Sequence, residues 1–232
     1  MKILTDVVLK KPKLAYFNVK GRSEPIRLLL ALKKIDYEAI DVTLENWRDH
    51  KSKANYEFGQ MPIYTCNLQG KTVEISQSGA ILRHLARQTN TGGINEWEKV
   101  QVDILMEFFL EVVFNFGKDA CWSADTQARE KWISEKAPAA IDKIAELYEQ
   151  NHREGFFAGK AHTVADCMAF HTLNSIDNVD ESVEKCINKH PKLRKFMDDF
   201  AELDGIKQYL NSDRRFKDYT VTLAPYPCPS KI

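Results

Sequence analysis

The 232-residue chain has no net charge with which to choose a partner: Lys and Arg together number 33, and so do Asp and Glu. Without an excess of either sign there is no field to draw it to nucleic acid or to an anionic membrane. Long apolar runs are missing as well. The opening residues, MKILTDVVLKKPK, hold no stretch of the roughly 7 to 15 apolar residues of a secretory signal, and no segment approaches the ~20 that span a bilayer. The expectation is a cytoplasmic protein. Five cysteines, Cys66, Cys121, Cys167, Cys186 and Cys228, are odd in number, far apart and without a CxxC pair. That pattern argues against a disulfide scaffold, a zinc site and a dithiol redox centre, so no metal is expected. Internal repeats and low-complexity tracts are also absent.

What is present has a clear order. Residues 13–18, KLAYFN, suit a short buried strand; Gly21 breaks it, Ser23 is the expected N-cap, and Pro25 opens a helix through RLLLALKK. YEAIDV (37–42) reads as a second strand, which makes a β-α-β unit. Pro62 with IYTC, the turn NLQG and KTVEI pair most simply as a hairpin, and the amphipathic helix SQSGAILRHLARQ follows. Strand signals end near Thr91 to Asn95. Beyond them Val102, Leu105, Met106, Phe109, Val113 and Phe116 recur at helical spacing in 96–117. Further helices are expected at about 126–150, 163–176 and 191–211. TVAD (163–166) has the form of a capping box with Asp for Glu, read as a helix start. The expected organisation is an extension over 1–12, an α/β domain over 13–91, an all-helical domain over 96–215 and a tail over 216–232. The three prolines of the tail argue against a helix there, and a disordered or loosely packed end is expected in preference to a lid folded over the substrate pocket.

Three motifs of the first domain belong together: YFNVKGRSEPIR, FGQMPIY (58–64) and ISQSGAILRHLAR (75–87). In this order and at these separations they resemble the glutathione-binding domain of the cytosolic glutathione transferases, nearest to the sigma class with its prostaglandin D synthases. The resemblance extends over roughly 13–212, and it implies a thioredoxin-like N-terminal domain followed by an all-helical one.

The resemblance also implies roles. Tyr16 stands where the family keeps the tyrosine whose hydroxyl donates to the glutathione sulfur, and Arg22 where an arginine supports both that tyrosine and the glutathione site; Arg27 is read as structural. Pro62 would be cis, so that the backbone of Met61 pairs with the cysteinyl part of glutathione, with Gln60 beside it. Gln77 and Ser78 match the pair that takes the γ-glutamyl carboxylate, at a helix N-terminus suited to an anion; plain helix capping by Ser76 or Ser78 uses the same groups. Trp47 and Lys51, in the loop before the proline strand, would reach the glycyl end. Glu111 would extend across a homodimer interface toward the partner's glutathione. Phe17, Val19 and Gly21 on one side, and Val113 and Phe116 on the other, would line the pocket for the second substrate.

The chemistry implied is conjugation of glutathione to small apolar electrophiles. A thiol with a pKa near 8.5 is only about 3% thiolate at pH 7, and the thiolate is the nucleophile. Lowering that pKa by two units requires about 2.7 kcal/mol, close to the 1.5–3 kcal/mol of one hydrogen bond to a charged group. The same thiolate would serve a prostaglandin isomerase or a lipid-hydroperoxide peroxidase. A non-catalytic, crystallin-like or ligand-carrying relative is the alternative from another class, against which an intact Tyr16 and Gln77–Ser78 count. Thiol-transfer relatives carry cysteine where Tyr16 stands, so disulfide chemistry is not expected.

Overall fold

The computed structural model describes residues 2–5, 9–54, 56–122, 125–151, 155–177 and 179–219, without the side chains of 2–5 and 52–54. Strand β1 is Lys2–Thr5 and β2 is Lys13–Phe17. Because side chains alternate along a strand, Leu14 enters the main core on one face while Ala15 packs with Tyr56 and Ile63 on the other. Helix α1 (Glu24–Leu32) buries Ile26, Leu28, Leu29 and Leu30 and delivers the chain to β3 (Glu38–Val42), which runs parallel to β2. The hairpin of β4 (Ile63–Leu68) and β5 (Lys71–Ser76) turns at Gln69 and Gly70, both at positive φ. The sheet order is β1-β5-β4-β2-β3.

The expected β-α-β and β-β-α succession is present, with two additions. The segment read as an extension contributes β1, which pairs antiparallel with β5. The polar stretch before Pro62, read as a loop, carries helix α2 (Leu44–Ala54). Helix α3 (Ser78–Thr89) then packs against β4, β5 and α1.

Helix α4 (Glu96–Phe116) starts at Asn95, whose side chain accepts from the Glu98 N–H. A wide turn over Gly117–Trp122 leads to α5 (Thr126–Lys131), and a second over Trp132–Lys136 leads to α6 (Ala137–Gln150). Helix α7 (Val164–Ile176) is buried at all its positions and packs on α4 and α1. Helices α8 (Glu181–Asn188), α9 (Pro191–Glu202) and α10 (Asp204–Leu210) complete the half; α8 is an addition to the sequence reading. One continuous core spans both halves, from Leu14, Leu28 and Leu82 to Phe109, Phe170 and Phe200. Helix α10 lies so close to α1 that a Cβ on Gly205 would stand 2.1 Å from the Ala31 carbonyl oxygen.

TVAD forms its capping box: Asp166 Oδ2 accepts from the Thr163 N–H at 2.6 Å and the Thr163 hydroxyl at 2.9 Å. Its Oδ1 accepts from the Phe157 N–H at 2.8 Å. Ser23 differs from expectation. It occupies the N-cap of α1, but a tight turn over Gly21–Ser23 precedes the helix, and the buried Ser23 Oγ makes no hydrogen bond among the described residues.

Candidate active site

Tyr16 shares the face of β2 that Leu14 uses, but it sits at the strand's carboxyl end, where the chain leaves the sheet. Ligands of open α/β sheets bind beyond the carboxyl ends of parallel strands, and here β2, which pairs parallel with β3, ends beside a cavity of about 470 Å³. Tyr16 lines it together with Phe17, Val19 and Gly21. Gly21 has φ +37°, and a Cβ there would meet the Tyr16 hydroxyl at 2.6 Å. Glycine is therefore required on two counts, conformation and space.

The Tyr16 hydroxyl accepts the Arg22 N–H at 3.0 Å. With a lone pair so engaged, its own proton is free to point into the cavity. Burial raises the phenol above its ordinary pKa; the Arg22 N–H bond, Arg27 and Arg22 oppose this in that order. The group is therefore a neutral donor at physiological pH. Arg22 acts here chiefly through its main chain. Its guanidinium stands 5.4 Å from the Phe114 ring centroid, and its charge adds to the peptide N–H in opposing the rise of the Tyr16 pKa.

Arg27 has the structural role expected of it. It donates to the Val19 carbonyl at 2.8 Å and the Phe17 carbonyl at 3.4 Å, and pairs with buried Glu24 at 3.5 Å. Tyr209 donates to Glu24 at 2.8 Å from α10. Lys20, 1% exposed, reaches Asn174 of α7, and desolvation, with Arg215 nearby, lowers its pKa to about 8. Thus the turn that carries the Tyr16 partner is tied to the helical half by buried charge.

The opposite wall comes from α2. Trp47 meets Phe17 edge to face at 5.2 Å, and the Lys51 ammonium lies 5.8 Å from the Trp47 ring centroid. Trp47, Lys51, Gln60 and Met61 line the same cavity as Tyr16. The Met61–Pro62 peptide is cis. A smaller adjoining recess is bounded by Arg22, Gln60, Met61, Pro62, Gln77 and Ser78. Gln77 has φ +69° at the N-cap of α3 and makes no side-chain cap, while buried Ser78 is the first helical residue. Neither Ser76 nor Ser78 caps α3, and the first N–H groups of a helix have no partner within it.

A third cavity of about 720 Å³ extends from Gln77 and Ser78 between α3 and α4 and is lined by Glu111, Val113 and Phe114, with Arg22, Trp122 and Tyr219 at the side shared with the first. The pocket expected for a second substrate is thus divided. Phe17, Val19 and Gly21 border the first cavity and Val113 the third. Phe116 borders neither: it is fully buried, with ring centroids 5.0 Å from Trp132 and 4.8 Å from Tyr219. It belongs to the inward stripe of α4, whereas Phe114, 44% exposed, lies off that stripe and faces the space. The sequence reading also missed Trp122 and Tyr219. Of the tail, residues 216–219 are in place and Tyr219 is 3% exposed; residues 220–232 lie outside the described residues. Among the described residues no group of three His, Cys, Asp or Glu is placed to hold a metal ion, and no helix is long and apolar enough to cross a membrane.

Comparison with known proteins gives the family. The family description "Glutathione S-transferase, N-terminal domain" matches residues 12–87, and "Glutathione S-transferase, C-terminal domain" matches 116–213. Glutathione S-transferase P of Caenorhabditis elegans is 35% identical over 208 residues, covering 86% of this chain and 91% of that one. Human glutathione S-transferase Mu 3 is 30% identical over 213 residues, 87% and 88% of the two chains. Among solved structures, the Pi-class glutathione S-transferase of Onchocerca volvulus superposes with a TM-score of 0.76 at 28% identity, over 86% of this chain and 92% of its own. Prostaglandin synthase D of Nilaparvata lugens superposes with a TM-score of 0.74 at 25% identity, over 88% and 98%. These relatives carry Pi, Mu and prostaglandin synthase names, so they give the family more firmly than any one class. With both family domains matched and a relative above 30% identity along most of its length, the chain belongs to the glutathione S-transferase family.

Proposed function

We propose that Tyr16 is the catalytic hydrogen-bond donor of this transferase and that glutathione lies along the wall from Trp47 to Ser78. The observation that carries the reading is the Tyr16 hydroxyl, buried at the end of β2, holding the Arg22 N–H at 3.0 Å and bordering a cavity. Its proton would meet the glutathione sulfur and favour the thiolate. A hydrogen bond to a charged group of ~1.5–3 kcal/mol lowers a thiol pKa by about one to two units. The thiol proton passes to solvent, the thiolate attacks the electrophilic carbon, the leaving group (halide for an aryl halide) departs with its bonding pair, and Tyr16 remains protonated.

Along this wall Lys51 and Trp47 would take the glycyl end, and the Met61 main chain beside cis-Pro62 would pair with the cysteinyl unit, with Gln60 adjacent. Gln77 and Ser78 would hold the γ-glutamyl carboxylate at the start of α3. Glutathione is the co-substrate, and no metal is assigned a role. The second substrate would be a small apolar electrophile between Phe17, Val19 and Gly21, extending toward Val113. A homodimer is part of the reading: Trp97, Val100 and Ile104 leave a stripe of α4 between 50 and 71% exposed. Glu111 would reach the partner's glutathione from the same helix. The cytoplasm is the assigned compartment.

The deciding experiment is Tyr16→Phe with an aryl halide. Retained glutathione affinity with turnover down about 10- to 100-fold supports the assignment; turnover near wild type would sink it. A second reading, isomerisation of a prostaglandin endoperoxide by the same thiolate, is favoured by the likeness to a prostaglandin synthase D. Product analysis with prostaglandin H2 beside an aryl halide separates the two.

A further inference from the structure

Residues 218 and 219 are bonded to the turn that serves Tyr16. The Lys20 N–H donates to the Asp218 carbonyl at 2.8 Å, and the Gly21 N–H donates to the Tyr219 carbonyl at 2.9 Å. The residue after these two, Arg22, supplies the N–H that meets the Tyr16 hydroxyl. The Tyr219 side chain enters the other half of the molecule: its hydroxyl donates to the Val113 carbonyl of α4 at 3.0 Å. Its ring stands edge-on to Phe116 at 4.8 Å and stacks on His171 of α7 at 6.0 Å, with 16° between planes.

We propose that Tyr219 is a positioning residue for the Tyr16 site: its anchored side chain holds the backbone of 218–219 against the Lys20–Gly21 turn, and that turn sets where the Arg22 N–H meets the Tyr16 hydroxyl. The inference rests on the Tyr16 reading above. Its physical basis is the narrow tolerance of the turn. A side chain on Gly21 would stand 2.6 Å from the Tyr16 hydroxyl, so the turn has no room to shift toward the phenol with anything larger than glycine, and a hydrogen bond weakens steeply once its angle degrades. A turn freed from its two carbonyl partners must rearrange or hydrate its N–H groups, because buried N–H groups do not stay unpaired. Either change moves Gly21 and Arg22 together.

Loss of the anchor is expected to act on the thiol more than on glutathione binding: the assigned contacts at Trp47, Gln60 and Ser78 lie on other elements, while Arg22 borders the recess they share and Tyr219 borders the Tyr16 cavity. Tyr219→Ala removes the ring and hydroxyl but leaves the main-chain carbonyl to be held or released. Tyr219→Phe keeps the ring against Phe116 and His171 and loses only the bond to Val113.

The experiment is the pKa of the enzyme-bound glutathione thiol, read from thiolate ultraviolet absorbance across pH, with kcat and KM for glutathione measured beside it. Tyr219→Ala is expected to raise the bound-thiol pKa by about one unit, a tenfold loss of thiolate below that pKa, with KM for glutathione changed less than about threefold. Tyr219→Phe is expected to give a smaller rise of about 0.3 unit. An unchanged bound-thiol pKa in Tyr219→Ala overturns the proposal, as does an equal rise in both variants. Should Tyr219→Ala fail to fold, Tyr219→Leu, which keeps apolar volume without a ring or hydroxyl, is measured in its place against the same two outcomes. Tyr16→Phe, measured in parallel, separates the two levels. If it leaves the bound-thiol pKa unchanged, the Tyr16 reading fails and the Tyr219 proposal with it; if it raises the pKa while Tyr219→Ala does not, only the Tyr219 proposal falls.

Discussion

Tyr16 and Asp166 are both buried polar side chains that accept main-chain N–H groups, yet their surroundings differ. Asp166 is wholly enclosed at the start of α7, with partners for both oxygens supplied by Thr163 and Phe157. Among the described residues Tyr16 has one hydrogen-bond partner, the Arg22 N–H, and it borders a cavity. A buried polar group whose partners are all protein groups stabilises the fold. One that keeps hydrogen-bonding capacity facing open space has something left for a ligand.

The largest test of this contrast is Asp166→Ala. Two main-chain N–H groups would lose their acceptor at about 1–3 kcal/mol each, so urea denaturation should show a loss of about 3 kcal/mol or more. kcat per folded molecule should not move; a parallel fall in kcat would erase the distinction. Tyr16→Phe should do the reverse, with a 10- to 100-fold fall in kcat and less than about 1 kcal/mol of stability, because water in the cavity can satisfy the Arg22 N–H.

Gly21→Ala comes next. The added Cβ collides with the Tyr16 hydroxyl, and φ +37° is strained for alanine. Steady-state kinetics should show kcat down about tenfold, and a structure should show the phenol displaced; an unmoved phenol with normal turnover contradicts the geometry. The last test is the pH dependence at Asp166. Burial pushes its carboxyl up to about 6, against the hydrogen bonds it accepts. A folded-state pKa above the unfolded value of about 3.9 means that the native state takes up its proton first as pH falls. The stability advantage of wild type over Asp166→Asn should therefore widen from pH 7 down to about 4, by about 1.4 kcal/mol per unit of difference between the two pKa values. Chemical denaturation at several pH values measures it, and a gap that narrows on acidification removes the burial explanation.

Much of this was legible in the residues, for physical reasons that also mark where legibility ends. Period-2 and period-3.6 patterns are local, so β2, α1, the β4–β5 hairpin, α3 and α4 could be read from neighbours in sequence. Tyr16, Gln77 and Ser78 lie inside contiguous motifs. Strand β1 could not be read, because it exists only through pairing with β5 some 70 residues away, and nothing within KILT specifies that partner. Helix α2 has the polar sequence LENWRDHKSKA, with little apolar face to announce it. Phe116 was misplaced although its own stripe carried the signal: Val102, Leu105, Met106, Phe109, Val113 and Phe116 form one inward face, and Phe114 falls outside it. Tyr219 was hidden among tail prolines because its importance lies in contacts with residues about 50 to 200 positions earlier.

The continuous core has a consequence for modularity. Helix α1 is apolar toward the sheet and also toward α7 and α10, so the glutathione-binding half has no finished outer surface where the helical half meets it. The two halves share one buried apolar core. A chimaera joining residues 13–91 to a foreign helical half would inherit a cleft only if the new helices reproduced the imprint of α1, including the near-contact of Gly205 with Ala31. Exchange between relatives is thus limited by the fit of a seam rather than by the chemistry on either side of it.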